Sequence, residues 1–151
     1  MTTRRNMIQG GALLAGLLAG VLPQLGWAEA LPKQAFDVKS LDELYKILGL
    51  GKPSASNLVT LTAPDIAENG AVVPVAVSST APGVTRMLVL VEKNPNVLTA
   101  AFEVSDAIEP NFSTRVKMGQ TSNVYAVAIT ADKKVLFAEK EIKVTLGGCG
   151  G

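Results

Sequence analysis

From residue 57 onward the chain is written as runs of β-branched and small apolar residues, each closed by a turn signal. The runs cover 58–63, 72–78, 87–91, 98–104, 112–118, 123–130 and 135–145. Several alternate with a period of two. Phe112, Thr114, Val116 and Met118 fall on one face against Ser113, Arg115 and Lys117, and Val124, Ala126 and Ala128 oppose Tyr125, Val127 and Ile129. Only a strand puts such positions on opposite faces. In the last run Val135 and Phe137, then Ile142, Val144 and Leu146, are expected inward. Asn69-Gly70, Asn94-Pro95-Asn96 and Ala131–Lys133 supply turns. Pro74 lacks an N–H to give to a ladder and predicts an edge position or a bulge for its run.

About seven short strands spaced by turns predict an all-β antiparallel sandwich of immunoglobulin-like type. A short helix should precede it. Leu41, Leu44, Tyr45 and Leu48 recur at helical spacing, Ser40 and Glu43 form a capping box, and Gly49, Gly51 and Pro53 stop the run.

The N-terminus carries a different message. Arg4 and Arg5 precede an apolar stretch diluted by Gly and Ala, and Ala28 and Ala30 offer a cleavage site. This predicts a twin-arginine signal over 1–30 with cleavage after Ala30, and a periplasmic protein with no membrane anchor. The chain then divides into 31–56, an N-terminal segment with the helix, 57–146, the sandwich, and 147–151, a flexible arm. Arg4, Arg5 and Glu29 account for the whole net charge of +1, so the exported part is neutral. With no basic patch, nucleic-acid binding is not expected.

Two absences narrow the chemistry. The chain has no histidine, which removes Ser-His-Asp and Cys-His catalysis, haem attachment through Cys-x-x-Cys-His and most zinc sites. It has one cysteine, which removes an internal disulfide. Neither a metal nor a cofactor is expected. The pair Asp106 and Glu109 sits in a loop and reads as solvated charge.

That cysteine is Cys149, in the terminal sequence Gly147-Gly148-Cys149-Gly150-Gly151. Glycine leaves the backbone free and adds no bulk, so Gly147, Gly148, Gly150 and Gly151 make a slim arm for an accessible thiol. Extended, the arm projects Cys149 about 10 Å beyond Leu146. No Lys or Arg lies nearer in sequence than Lys143, so activation of the thiol falls to whatever site receives it. The pattern predicts a covalent carrier on Cys149. The alternative is an exported binding module whose cysteine only forms an intermolecular disulfide. A terminal thiocarboxylate, as in ubiquitin-like sulfur carriers ending in Gly-Gly, needs ATP and a β-grasp fold, and fits less well.

The whole chain resembles the SoxY family, the Y subunit of the Sox thiosulfate-oxidising system. The resemblance rests on Thr3-Arg4-Arg5, Asn94-Pro95, Arg115-Val116-Lys117-Met118 with Thr121-Ser122, Lys143-Val144-Thr145 and, above all, the terminal five residues. It implies a non-enzymatic carrier, paired with a Z-type subunit that lacks its own export signal. It also implies a c-type cytochrome that couples thiosulfate to Cys149, a dimetal hydrolase that releases sulfate and, in some organisms, a sulfur dehydrogenase. Cys149 would hold the cargo as an S-thiosulfonate or a persulfide.

Overall fold

The computed structural model describes residues 29–146. Residues 1–28, most of the expected signal, and Gly147, Gly148, Cys149, Gly150 and Gly151, the expected arm, lie outside the described residues.

The described chain opens with a 3-10 turn, Lys33–Phe36, and helix α1, Leu41–Ile47. Ser40 caps α1: its hydroxyl accepts the Glu43 N–H at 3.2 Å, while the Glu43 carboxylate reaches back to the Lys39 N–H at 3.1 Å. Gly49 ends it. At φ 64 it turns the chain left-handed, the Gly49 N–H donates to Lys46 and the Leu50 N–H to Tyr45, satisfying two terminal carbonyls.

Nine strands follow among the described residues. They are β1 Ser54–Ala55, β2 Val59–Thr62, β3 Ile66–Ala67, β4 Val73–Ser79, β5 Val84–Val91, β6 Leu98–Glu103, β7 Asn111–Val116, β8 Ser122–Thr130 and β9 Val135–Val144. The larger sheet runs β1-β9-β8-β5-β6, with β3 also on β9; the smaller runs β2-β4-β7. The all-β sandwich expected from the runs is present. Two features differ from the expectation. β1 and β3 are strands of two residues, too short to leave a periodic signal, and both pair with β9 in parallel. They line successive stretches of the free edge of β9, at Leu136–Phe137 and Lys143–Val144, and so cover it. Between them the chain crosses to the smaller sheet as β2.

Pro74 is explained by where β2 ends. β4 is the central strand of the smaller sheet, which contradicts an edge strand as a whole. However, its pairing with β2 stops at Thr62 opposite Ala76, and Pro74 keeps a partner only on the β7 side, opposite Arg115. The missing donor is tolerated because that stretch is a local edge.

The core lies in two slabs. Between the sheets pack Val73, Val75, Val77, Met87, Val89, Val91, Val116, Met118, Val124, Ala126, Ala128 and Ile142. Phe102 and Phe112 stack at 4.5 Å and close the slab at its β6–β7 side. The second slab covers the other face of the larger sheet: Ala35, Val38, Leu44 and Tyr45 lie on Leu88, Leu90, Val127, Ile129 and Val135. The Val97 N–H donates to Val38 and ties this layer down. The larger sheet is thus buried on both faces, which is why β5 reads as an unbroken apolar run from Met87 to Val91. It also explains the phase of β9. Val135 and Phe137 face the N-terminal layer, whereas Leu136, Ala138, Ile142 and Val144 face the other sheet.

Tyr45 and Tyr125 belong to this outer layer. Burial, with Tyr125 and then Asp42 nearby, pushes the Tyr45 hydroxyl up to about 12. Tyr125 is also pushed up to about 12, by burial first and then by its hydrogen bond with Glu139. The folded state therefore holds these phenolic protons more tightly than the unfolded chain does. Their stabilisation is fully present below pH 10.0 and is lost as pH rises toward about 12. Tyr45→Phe with Tyr125→Phe should flatten the alkaline fall in urea midpoint over that interval. An equally steep fall in the double variant would show that other groups cause it.

Candidate functional site

Cys149 and its four flanking glycines lie outside the described residues, so the site is approached through the part of the chain that carries them. That part is the end of β9 and residues Thr145 and Leu146, and it is held on both sides. The Lys143 N–H donates to the Asp65 carbonyl at 3.0 Å, the Thr145 N–H to Ala67 at 3.1 Å, and the Thr145 hydroxyl to Glu68 at 3.2 Å. From the other side the Thr121 hydroxyl accepts the Val144 N–H at 2.9 Å. The Leu146 carbonyl accepts the Gly70 N–H at 2.8 Å.

Gly70 has a second task. Its carbonyl accepts the Met118 N–H at 2.7 Å, just past β7. The turn Asn69-Gly70 therefore joins Leu146, two residues past β9, to Met118, two residues past β7. Asn69 braces the turn by accepting the Ala71 N–H on its side chain at 2.9 Å. Upstream, the Lys140 ammonium meets the Asp65 carboxylate at 2.8 Å and the Ala63 carbonyl at 2.6 Å, pinning the approach to β3. The hydrogen bond from Lys140 holds the Asp65 carboxyl below its usual range.

The consequence is a fixed pivot. The backbone is tied down as far as the Leu146 carbonyl.

Leu146 itself departs from expectation. Alternation along the last run places it inward, yet it is 67% exposed. β9 ends at Val144, and the hydrogen bonds of Thr145 and Leu146 go to the 67–70 segment, so the two-residue period no longer orients side chains there. The clamp residues were partly visible in sequence. Asn69-Gly70 reads as a turn and Thr121 stands in a recognisable segment, but neither signal says that both meet the end of β9.

Among the described residues no group of three or more His, Cys, Asp or Glu is placed to hold a metal. No helix among them is long and apolar enough to cross a membrane. An open depression of about 680 Å³ lies on the smaller sheet where β2 leaves β4, lined by Thr62, Pro64, Pro74, Ser113 and Arg115 among others. Arg115 is its one ionisable group, so it brings no acid–base pair together. Asp106 and Glu109 are both exposed, in the loop between β6 and β7.

A β-sandwich of two sheets whose last strand is clamped up to the root of a terminal cysteine segment is the class of protein that fold and site define. The model of the family described as sulfur oxidation protein SoxY matches residues 45–149, and its match extends to the cysteine. The solved structure of the sulfur carrier protein SoxY from Chlorobium limicola f thiosulfatophilum is 33% identical. The alignment covers 70% of this chain and 94% of that one, at a TM-score of 0.62. The chain belongs to the SoxY family. Its work therefore lies in sulfur oxidation, and its partners are those of the Sox system. The search of curated proteins returns no match. A variant of superoxide reductase (neelaredoxin) from Ignicoccus hospitalis is 18% identical over 71% of this chain and 99% of that one, at a TM-score of 0.54. That likeness is one of fold alone.

Proposed function

We propose that this protein is a periplasmic, non-catalytic carrier that holds sulfur intermediates on Cys149 and presents them to the enzymes of the Sox system. The observation that carries the reading is the clamped pivot at Leu146 followed directly by Gly-Gly-Cys-Gly-Gly. A sulfur atom on such an arm enters another protein's site while the sandwich stays outside.

The chemistry balances with a two-electron oxidant. The Cys149 thiolate and the outer sulfur of thiosulfate join in an S–S bond, giving the S-thiosulfonate and two electrons. The c-type cytochrome partner takes those electrons. Water then attacks the sulfonate sulfur in the dimetal hydrolase partner, sulfate leaves with two protons, and a persulfide anion stays on Cys149. A sulfur dehydrogenase, where one exists, oxidises that remaining sulfane sulfur. The absence of histidine from the chain supports leaving all of this catalysis to partners. The signal pattern at Arg4 and Arg5 supports export after folding, in company with a Z-type subunit.

The intact mass of natively purified protein tests the reading. Reductant-labile increments of sulfane sulfur or thiosulfonate, mapped to Cys149, are expected. A bare thiol after incubation with thiosulfate and a complete Sox enzyme set would overturn it.

A further inference from the structure

Export after folding means that the peptidase removing the signal meets a folded substrate. The expected cut falls between Ala30 and Leu31, and the fold holds the chain on both sides of that bond. Ala30 is exposed, but Leu31 and Pro32 are half-buried, and Leu31 packs against the outer slab. The Pro32 carbonyl accepts the N–H of the fully buried Ala35 at 2.9 Å. Upstream, the Glu29 carbonyl accepts a hydrogen bond from the Arg86 guanidinium at 2.5 Å. Arg86 stands near the start of β5, opposite Glu103 on β6, and its Nε donates to the Glu103 carboxylate at 2.6 Å. The Arg86 side chain is 15% exposed against 47% for Glu103, so the guanidinium is a fixed fork and not a wandering surface charge. One prong holds Glu103 and another holds Glu29, 57 residues away in the chain.

We propose that Arg86 latches the processing site: in the folded precursor it holds the Glu29 carbonyl against β5, so the signal peptidase cuts only after residues 29–32 have lifted off. The proposal rests on the export reading and adds what controls its last step. A protein that takes up a peptide as an extended strand engages its main-chain groups. Here the Glu29 carbonyl is already bonded and the Leu31 side chain already packed. Cutting therefore follows the population of the lifted form. Hydrolysis adds water across the amide, so Ala30 leaves as a carboxylate and Leu31 keeps an ammonium group. The Glu29 carbonyl departs with the signal, and the latch cannot re-form. Arg86 keeps Glu103, so the paired strands β5 and β6 lose nothing.

The test follows loss of residues 1–30 by intact mass when the folded full-length chain meets a purified signal peptidase. A synthetic peptide of residues 22–36 has no Arg86 and no sheet, and it should be cut at least about tenfold faster than the folded precursor. The Arg86→Gln precursor should be cut about threefold to tenfold faster than the wild type, the scale of one hydrogen bond from a charged donor at a partly exposed site. Glu103→Gln loosens the fork and should give a smaller gain in the same direction. Equal rates for Arg86→Gln and the wild type would overturn the proposal, as would equal rates for the peptide and the folded precursor. A fall in the urea midpoint of Arg86→Gln large enough to account for its faster cutting would overturn it too, by assigning the gain to general loosening of the fold. A peptide that is not cut after Ala30 would instead remove the export-signal reading itself.

Discussion

Cys149→Ser should abolish thiosulfate-dependent sulfur oxidation in a reconstituted Sox system while leaving the thermal unfolding curve unchanged. Both halves follow from position. The residue follows the clamp at Thr145 and Leu146 in sequence, and the described hydrogen bonds and core contacts of the sandwich are made by other residues. Serine keeps the size and loses the chemistry: an alcohol at neutral pH is neither an accessible anion nor able to hold sulfane sulfur as a persulfide. The expected loss is complete because the chain has no other cysteine to take over. Activity retained at even a few per cent would mean that cargo rides elsewhere. A fall in stability would mean that the thiol packs against the fold, which a carrier arm does not require. The disulfide-module alternative predicts a different pattern, with a cross-linked species on non-reducing electrophoresis and no sulfur adduct.

Leu44→Asp is the substitution expected to disturb the fold most instructively. Leu44 is fully buried beneath α1, in the slab that covers Leu88, Leu90 and Val127. Removing a buried leucine side chain costs about 2–5 kcal/mol. A carboxylate placed there adds a desolvation penalty of several kcal/mol that no partner offsets. The chain has a way to limit the damage: the N-terminal layer can lift off and hydrate the aspartate. That exposes one face of the larger sheet, so the net loss should be at least about 4 kcal/mol, a large part of a typical domain's 5–15 kcal/mol. The signature is a lowered urea midpoint together with early proteolysis before Ser54. A variant within about 1 kcal/mol of the wild type would show that α1 contributes little to the outer slab.

The two-slab arrangement also separates what is local in this protein from what is not. α1 was fully legible: the spacing of Leu41, Leu44, Tyr45 and Leu48, the Ser40–Glu43 cap and the stop at Gly49 are interactions within a few residues, and all appear as expected. The alternation of β7 and β8 was legible for the same reason, since a strand writes its two faces into consecutive residues. Which face meets which layer was not legible. The alternation sets Tyr125, Val127 and Ile129 apart from Val124, Ala126 and Ala128 without saying that the N-terminal layer lies on them.

The candidacy of Cys149 came from the amino-acid sequence, through a single thiol, no histidine and four glycines around it, because reactivity and chain freedom are properties of the residues themselves. The root of the arm was decided only by the tertiary structure. The parallel pairing of β3, the Gly70 bridge between β9 and Met118, and the Thr121 bond to Val144 join positions up to 77 residues apart. Nothing local in those residues encodes the meeting. It arises because β9 has a free edge whose backbone groups need partners, and only the folded chain shows which segments supply them.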